Sequence, residues 1–196
     1  MILRAACLAV VALLTPGHAL AHGTITGTSD FYDGVFHPLT VPAHLLALLG
    51  LGLWLGQHRP RELERAIIGF AVSLIIGSAL GMIGSVGEIT PILLAAALAL
   101  GLLVAAERHL AWLGAAVIAA GVGLLVGADS APDGANALQA RIITLAGTFI
   151  GAHLLLLNLM AIVSLSERAW SRIAVRITGS WVAAITILVL ALNFQR

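Results

Sequence analysis

The chain has 196 residues, 60% of them hydrophobic and 10% charged. Soluble domains sit near half apolar and a quarter charged, so this composition asks for lipid around much of the surface. A formal net charge of +1 offers no basic field to nucleic acid.

The first element is a leader. Arg4 supplies a short positive start, Ala5–Leu14 an apolar run, and Pro16-Gly17 a break. Ala19-Leu20-Ala21 fits the small-x-small rule for a secretory cleavage site, and the run is too short to span a bilayer. Residues 1–21 are therefore expected to be a cleaved signal peptide, and residues 22–196 a single membrane domain. The only cysteine, Cys7, falls inside the leader, so the mature chain has no thiol for disulfides, thiolate metal sites or cysteine catalysis. Cleavage after Ala21 places His22 at the new N-terminus. There the amine and the imidazole can chelate one ion, and imidazole suits nickel, copper and zinc.

The segment 22–37 reads as a short extracytoplasmic stretch, polar and glycine-rich from Gly23 to Val35, with Asp30 and Asp33 and no arginine. Six apolar runs follow, at Pro38–Gln57, Ala66–Gly84, Pro91–Ala106, Leu110–Gly127, Ile142–Leu165 and Ile173–Phe194. The expected fold is an all-α integral membrane bundle of six transmembrane helices. The third run is the shortest, marginal against the roughly 20 residues a span needs.

Arginine divides the loops into two sets. His58–Arg65, Glu107–His109 and Ser166–Arg172 carry arginines, whereas Ser85–Thr90 and Asp129–Arg141 hold only Arg141. The positive-inside rule puts the first set in the cytoplasm, and a cleaved signal independently puts the mature N-terminus outside. With six spans the C-terminus is outside too, in a membrane of the bacterial cytoplasmic type. His58 and His109, beside arginines, read as surface residues of the inner loops. The glycine pairs Gly52/Gly56, Gly77/Gly81, Gly123/Gly127 and Gly147/Gly151 have the spacing that lets membrane helices approach closely, within the chain or between copies in a homo-oligomer.

Chemistry concentrates at the first run. His37 stands at its mouth and His44 inside it; in a continuous helix they would be two turns, roughly 10 Å, apart, too far to share an ion. Pro38 and Pro42 belong in a first helical turn, so regular helix is expected to begin only near Thr40 or Val41. The chain before it would then fold back and bring His37, Asp33 and His22 toward His44. An imidazole in a membrane helix needs a partner or a water path, which makes His44 a functional candidate, and His153 in the fifth run a second one: a relay for an ion, or a bond to another helix. Glu88 and Asp129 lie at helix ends where a carboxylate oxygen could contribute, and read as solvated loop residues. No phosphate-binding glycine loop, His-Glu-x-x-His or Gly-x-Ser-x-Gly occurs, and no acid adjoins His37 or His44 in sequence, so no enzyme is expected.

The run His37-Pro38-Leu39-Thr40-Val41-Pro42-Ala43-His44-Leu45-Leu46 resembles the first signature of the HupE/UreJ family, His-Pro-x-x-Gly-x-Asp-His-Leu-Leu. His22-Gly23 after the cleavage site, Phe31–Gly34, Glu88, Leu100–Leu103 and Arg176–Gly179 look like further family landmarks. The resemblance covers essentially the whole chain and marks it as a divergent member. Ala43 stands where the signature has aspartate, and Val41 where it has glycine. The second signature, Phe-His-Gly-x-Ala-His-Gly, is missing; the corresponding end of the fourth run reads Leu125-Val126-Gly127-Ala128-Asp129. The resemblance implies a permease for nickel, or for cobalt or another divalent ion. The metal would be cargo rather than a resident cofactor, held by His22, Asp33, His37, His44 and His153. The alternative it implies is a non-transporting, metal-binding membrane partner for maturation of hydrogenase or urease.

Overall fold

The computed structural model describes residues 30–84, 87–132, 137–165 and 169–194. The expected signal peptide, its cleavage site and His22 lie outside the described residues. The described chain is helical in seven pieces: α1 (Asp30–Thr40), α2 (Pro42–Gly56), α3 (Pro60–Ile83), α4 (Thr90–Ala105), α5 (Trp112–Asp129), α6 (Leu138–Ser164) and α7 (Ala169–Asn193).

Proline sets several of these boundaries. Pro42 and Pro60 each open a helix, where the missing N–H is not needed, and the residue before each is held extended: Val41 at φ −89°, ψ 112° and Arg59 at φ −71°, ψ 143°. At Val41 this restriction breaks one helix into two. The Val41 amide still donates to the His37 carbonyl at 3.1 Å, with the Thr40 hydroxyl on the same oxygen at 3.1 Å. The axes of α1 and α2 then diverge by 70°.

The segment expected to be irregular up to about Thr40 is thus helical from Asp30. Pro38 sits inside this helix, where it removes one backbone donor. What stabilises α1 is packing that the local sequence does not show. Gly34 lies so close to Thr144 on α6 that a Cβ there would meet its backbone carbonyl, and Gly147 and Gly151 receive Phe31 and Val35 in return. This seam needs hydrogen-only side chains on both partners.

The other glycine pairs serve the same purpose inside the chain. Gly52 and Gly56 seat α2 on Leu159 and Val163 of α6; Gly77 and Gly81 seat α3 on Leu124 and Ala128 of α5; Gly123 and Gly127 receive Phe70 and Leu74 of α3. Gly101 of α4 meets Ala183 of α7, and Gly179 of α7 meets Val104. The result is three close helix pairs, α1 with α6, α3 with α5 and α4 with α7, arranged about α2. Twelve of the 15 residues of α2 are buried, Trp54, Leu48 and Leu51 completely.

Large apolar side chains point the other way. Ile68, Val72, Ile75 and Ile83 of α3, Val117 of α5, and Ile177 and Leu188 of α7 are all exposed. Apolar surface of this extent is at home in hydrocarbon rather than in water. Four helices, Leu63–Ile83 of α3 together with α5, α6 and α7, are long and apolar enough to cross a membrane; the bent pair α1–α2 makes a fifth candidate. The third expected span is α4, a shorter apolar helix of 16 residues. The protein is therefore an all-helical, multi-pass membrane protein.

Candidate metal site

The break at Val41 decides the geometry of the two signature histidines. With α1 bent away from α2, the rings of His37 and His44 lie with centroids 5.0 Å apart at an interplanar angle of 72°. A continuous helix would set the two residues roughly 10 Å apart along its axis. Two imidazoles bound to one ion through bonds of about 2.1 Å, in neighbouring coordination positions, have ring centroids about 5 Å apart.

The proton positions also fit. His44 is completely buried, and its Nε2–H donates to Asp129 Oδ2 at 2.9 Å. An ionised carboxylate only accepts, so neutral His44 keeps its lone pair on Nδ1. That nitrogen is buried and has no protein partner; neither does His37 Nε2. A ring nitrogen held by a carboxylate while the other is left free to ligate is the arrangement by which proteins orient metal-binding histidines. A hydrogen bond to a charged group contributes about 1.5–3 kcal/mol, enough to hold the ring.

Asp129 is the last residue of α5, placed beside α2 by the glycine seam between α5 and α3. The expectation that it is a solvated loop residue is overturned: its side chain is 24% exposed and accepts a hydrogen bond from His44. No acid adjoins His44 in sequence, yet the fold brings one to it. The partner is 85 positions away in sequence, out of reach of any local motif. The signature position before His44 is Ala43, which is buried, and the carboxylate comes from a different helix.

Asp33 lies in the first turn of α1, one helical turn before His37 and on the same face. His153 is elsewhere. Its Nδ1–H donates to the Phe149 carbonyl at 2.8 Å, and its ring packs against Phe149 at 4.1 Å and Phe70 at 5.1 Å. Among the described residues no bond or ring contact joins it to His37 or His44. Its Nε2 is nonetheless buried without a protein partner, with a lone pair left by the Nδ1 bond. Glu88 is exposed. No three His, Asp or Glu side chains among the described residues form a set that could hold a metal ion.

The model of the HupE / UreJ protein family matches residues 9–189. The chain belongs to the HupE/UreJ family. This is a permease-like accessory family associated with nickel or cobalt transport, or with urease and hydrogenase maturation, and it is not a known enzyme class. No curated protein and no solved structure matches the chain.

His58 corrects another expectation. Far from lying on an inner-loop surface, it is buried to 5% exposure against Trp54, at the opposite end of α2 from His44. Sequence reasoning passed over it because it follows the apolar run and precedes an arginine; the signal available was its spacing of four from Trp54.

Proposed function

We propose that the protein is a permease for a divalent transition metal, nickel first, with His37 and His44 as the capture site. The observation that carries this reading is the pair of buried ring nitrogens without a protein partner, His44 Nδ1 and His37 Nε2, with Asp129 holding the His44 ring. Nitrogen donors of this kind suit nickel, cobalt, copper and zinc, and in this family nickel and cobalt have the first claim.

Six crossings complete the proposed topology, with α1–α2 as one broken span and α4 as a short one. The arginine-bearing loops face the cytoplasm, and both mature termini face outward from a bacterial-type cytoplasmic membrane. A cleaved leader would free His22 to add an amine and an imidazole to the two-nitrogen site, with Asp33 on the same side. His153, its Nε2 unpartnered between two phenyl rings, would be an intramembrane stop for the ion. The four glycine pairs are all occupied within the chain, so a homo-oligomer would have to use other faces.

Accumulation of nickel, cobalt, copper and zinc in a host stripped of its own importers tests the reading. The intact protein is compared with His37→Ala/His44→Ala at equal membrane abundance. Selective accumulation of one metal, lost in the variant, is the expected result. Accumulation no greater than in empty-vector cells sinks it.

One observation favours the accessory reading instead: no described set reaches three ligands. A metal-binding partner for an enzyme-maturation system needs only the capture end. Stoichiometric binding by the purified protein, with no flux in cells, would establish that alternative.

A further inference from the structure

We propose a second divalent-metal site at the C-terminal end of α2, formed by His58 and His109 with the side-chain oxygen of Gln57. The two imidazoles come from loops about fifty residues apart in sequence, yet their ring centroids are 5.2 Å apart at 77°. That spacing again matches two nitrogens on neighbouring coordination positions of one ion, about 5 Å between centroids.

Two of the three donors are oriented by a bond at the other end. His58 Nδ1–H donates to the Trp54 carbonyl at 2.9 Å, and a carbonyl only accepts. The neutral ring therefore carries its lone pair on Nε2, which is buried with no protein partner in a residue 5% exposed. Gln57 donates its Nε2 to the Val104 carbonyl at 3.3 Å, and its Oε1 is likewise buried and unpartnered. Two buried acceptors without a donor are costly, and a cation bound by both would remove that cost.

His109 is presented by a tight turn. The Glu107 amide donates to Val104 O at 3.1 Å and the Arg108 amide to Leu103 O at 3.0 Å, which closes the end of α4 with Glu107 at φ 51°. This turn aims the Arg108 carbonyl at Trp54 Nε1, 2.8 Å away, and so ties the His109 loop to α2. Between the two loops lies a cavity of about 510 Å³ lined by Gln57, His58, Arg59, His109, Leu110 and Ala111.

Two imidazoles and a neutral oxygen make a weaker site than one containing a carboxylate, and the Arg59 guanidinium at the cavity wall weakens it further. Weak binding suits release. From His44 to His58 is about 21 Å of helix rise, roughly two-thirds of the ~30 Å hydrocarbon core. On the permease reading, this is the station from which the ion leaves; the site itself does not depend on that reading.

The test is equilibrium dialysis of the purified full chain in detergent against nickel chloride, with bound metal measured by mass spectrometry. Two classes of site are expected in the intact protein. His58→Ala/His109→Ala should remove the weaker class and keep the tighter; His37→Ala/His44→Ala should do the reverse. Because removing buried His58 can disturb the core, His109→Ala alone is the decisive variant: its side chain is exposed, and it should weaken the second class at least tenfold. A weaker class that persists unchanged in His109→Ala overturns the proposal, as does a single class in the intact protein. Cellular uptake is scored separately. If the intact protein takes up no nickel yet loses the weaker class in His109→Ala, the permease reading fails and the second site stands.

Discussion

The two ends of α2 hold comparable pairs of histidines built in different ways. At the N-terminal end, His37 and His44 come from one stretch of chain, brought together by a helix break, and a carboxylate orients one of them. At the C-terminal end, His58 and His109 come from separate loops, and a backbone carbonyl does the orienting. The difference is electrostatic. A carboxylate beside a bound cation adds attraction that a carbonyl cannot match, and low dielectric magnifies it. On the proposed reading, one helix offers a stronger nitrogen pair at one end and a weaker one at the other, a gradient that a permease can use.

The largest effect should come from His37→Ala/His44→Ala, with nickel uptake falling to the empty-vector level while the weaker class of bound nickel survives in the purified protein. Loss of both classes would mean that the two ends are not independent. Next is Gly34→Leu, which forces α1 off α6 because a side chain there meets the Thr144 backbone. Nickel titration of this variant should lose the tighter class and keep the weaker, with circular dichroism confirming that the remaining helices persist. A tighter class retained at full affinity would show that α1 need not be docked for capture.

Asp129→Asn is a finer probe, since it preserves shape and removes charge. Outer partners of metal-binding histidines are worth about 10–100-fold in affinity, and that is the expected weakening at the tighter class. An unchanged dissociation constant would make Asp129 a structural partner only. The smallest effect is predicted for Trp54→Phe, which deletes the indole donor to the Arg108 carbonyl. Thermal unfolding should register about 1 kcal/mol of lost stability, and the weaker class should loosen a few-fold with no change at the tighter one. A shift at the tighter class instead would contradict the separation of the two ends.

Several parts of this architecture are legible in the sequence alone. The spacing Gly-x-x-x-Gly at four places marked seams, and all four lie against another helix. Pro42 marked a boundary, because proline holds the residue before it out of the helical region. Other features escape the sequence for one reason: local polarity does not report tertiary contact. Residues 30–37 looked like an irregular polar segment because glycine and aspartate are poor helix formers. The Gly34–Thr144 seam overrides that propensity. Asp129 and His58 were assigned to solvent because each borders a loop, yet one meets α2 from another helix and the other folds back under Trp54.

By itself the sequence determined that the protein is a helical membrane protein and that a helix boundary falls at Pro42, between its two signature histidines. These follow from composition and from backbone rules that act within a few residues. Only the tertiary structure decided which carboxylate serves His44, and that a second histidine pair closes the other end of α2. In a membrane bundle, residues facing lipid and residues facing another helix are equally apolar, so hydropathy carries no record of which helices become neighbours. That information lies in the fit of small residues across the seams, and it emerges only when the helices are packed together.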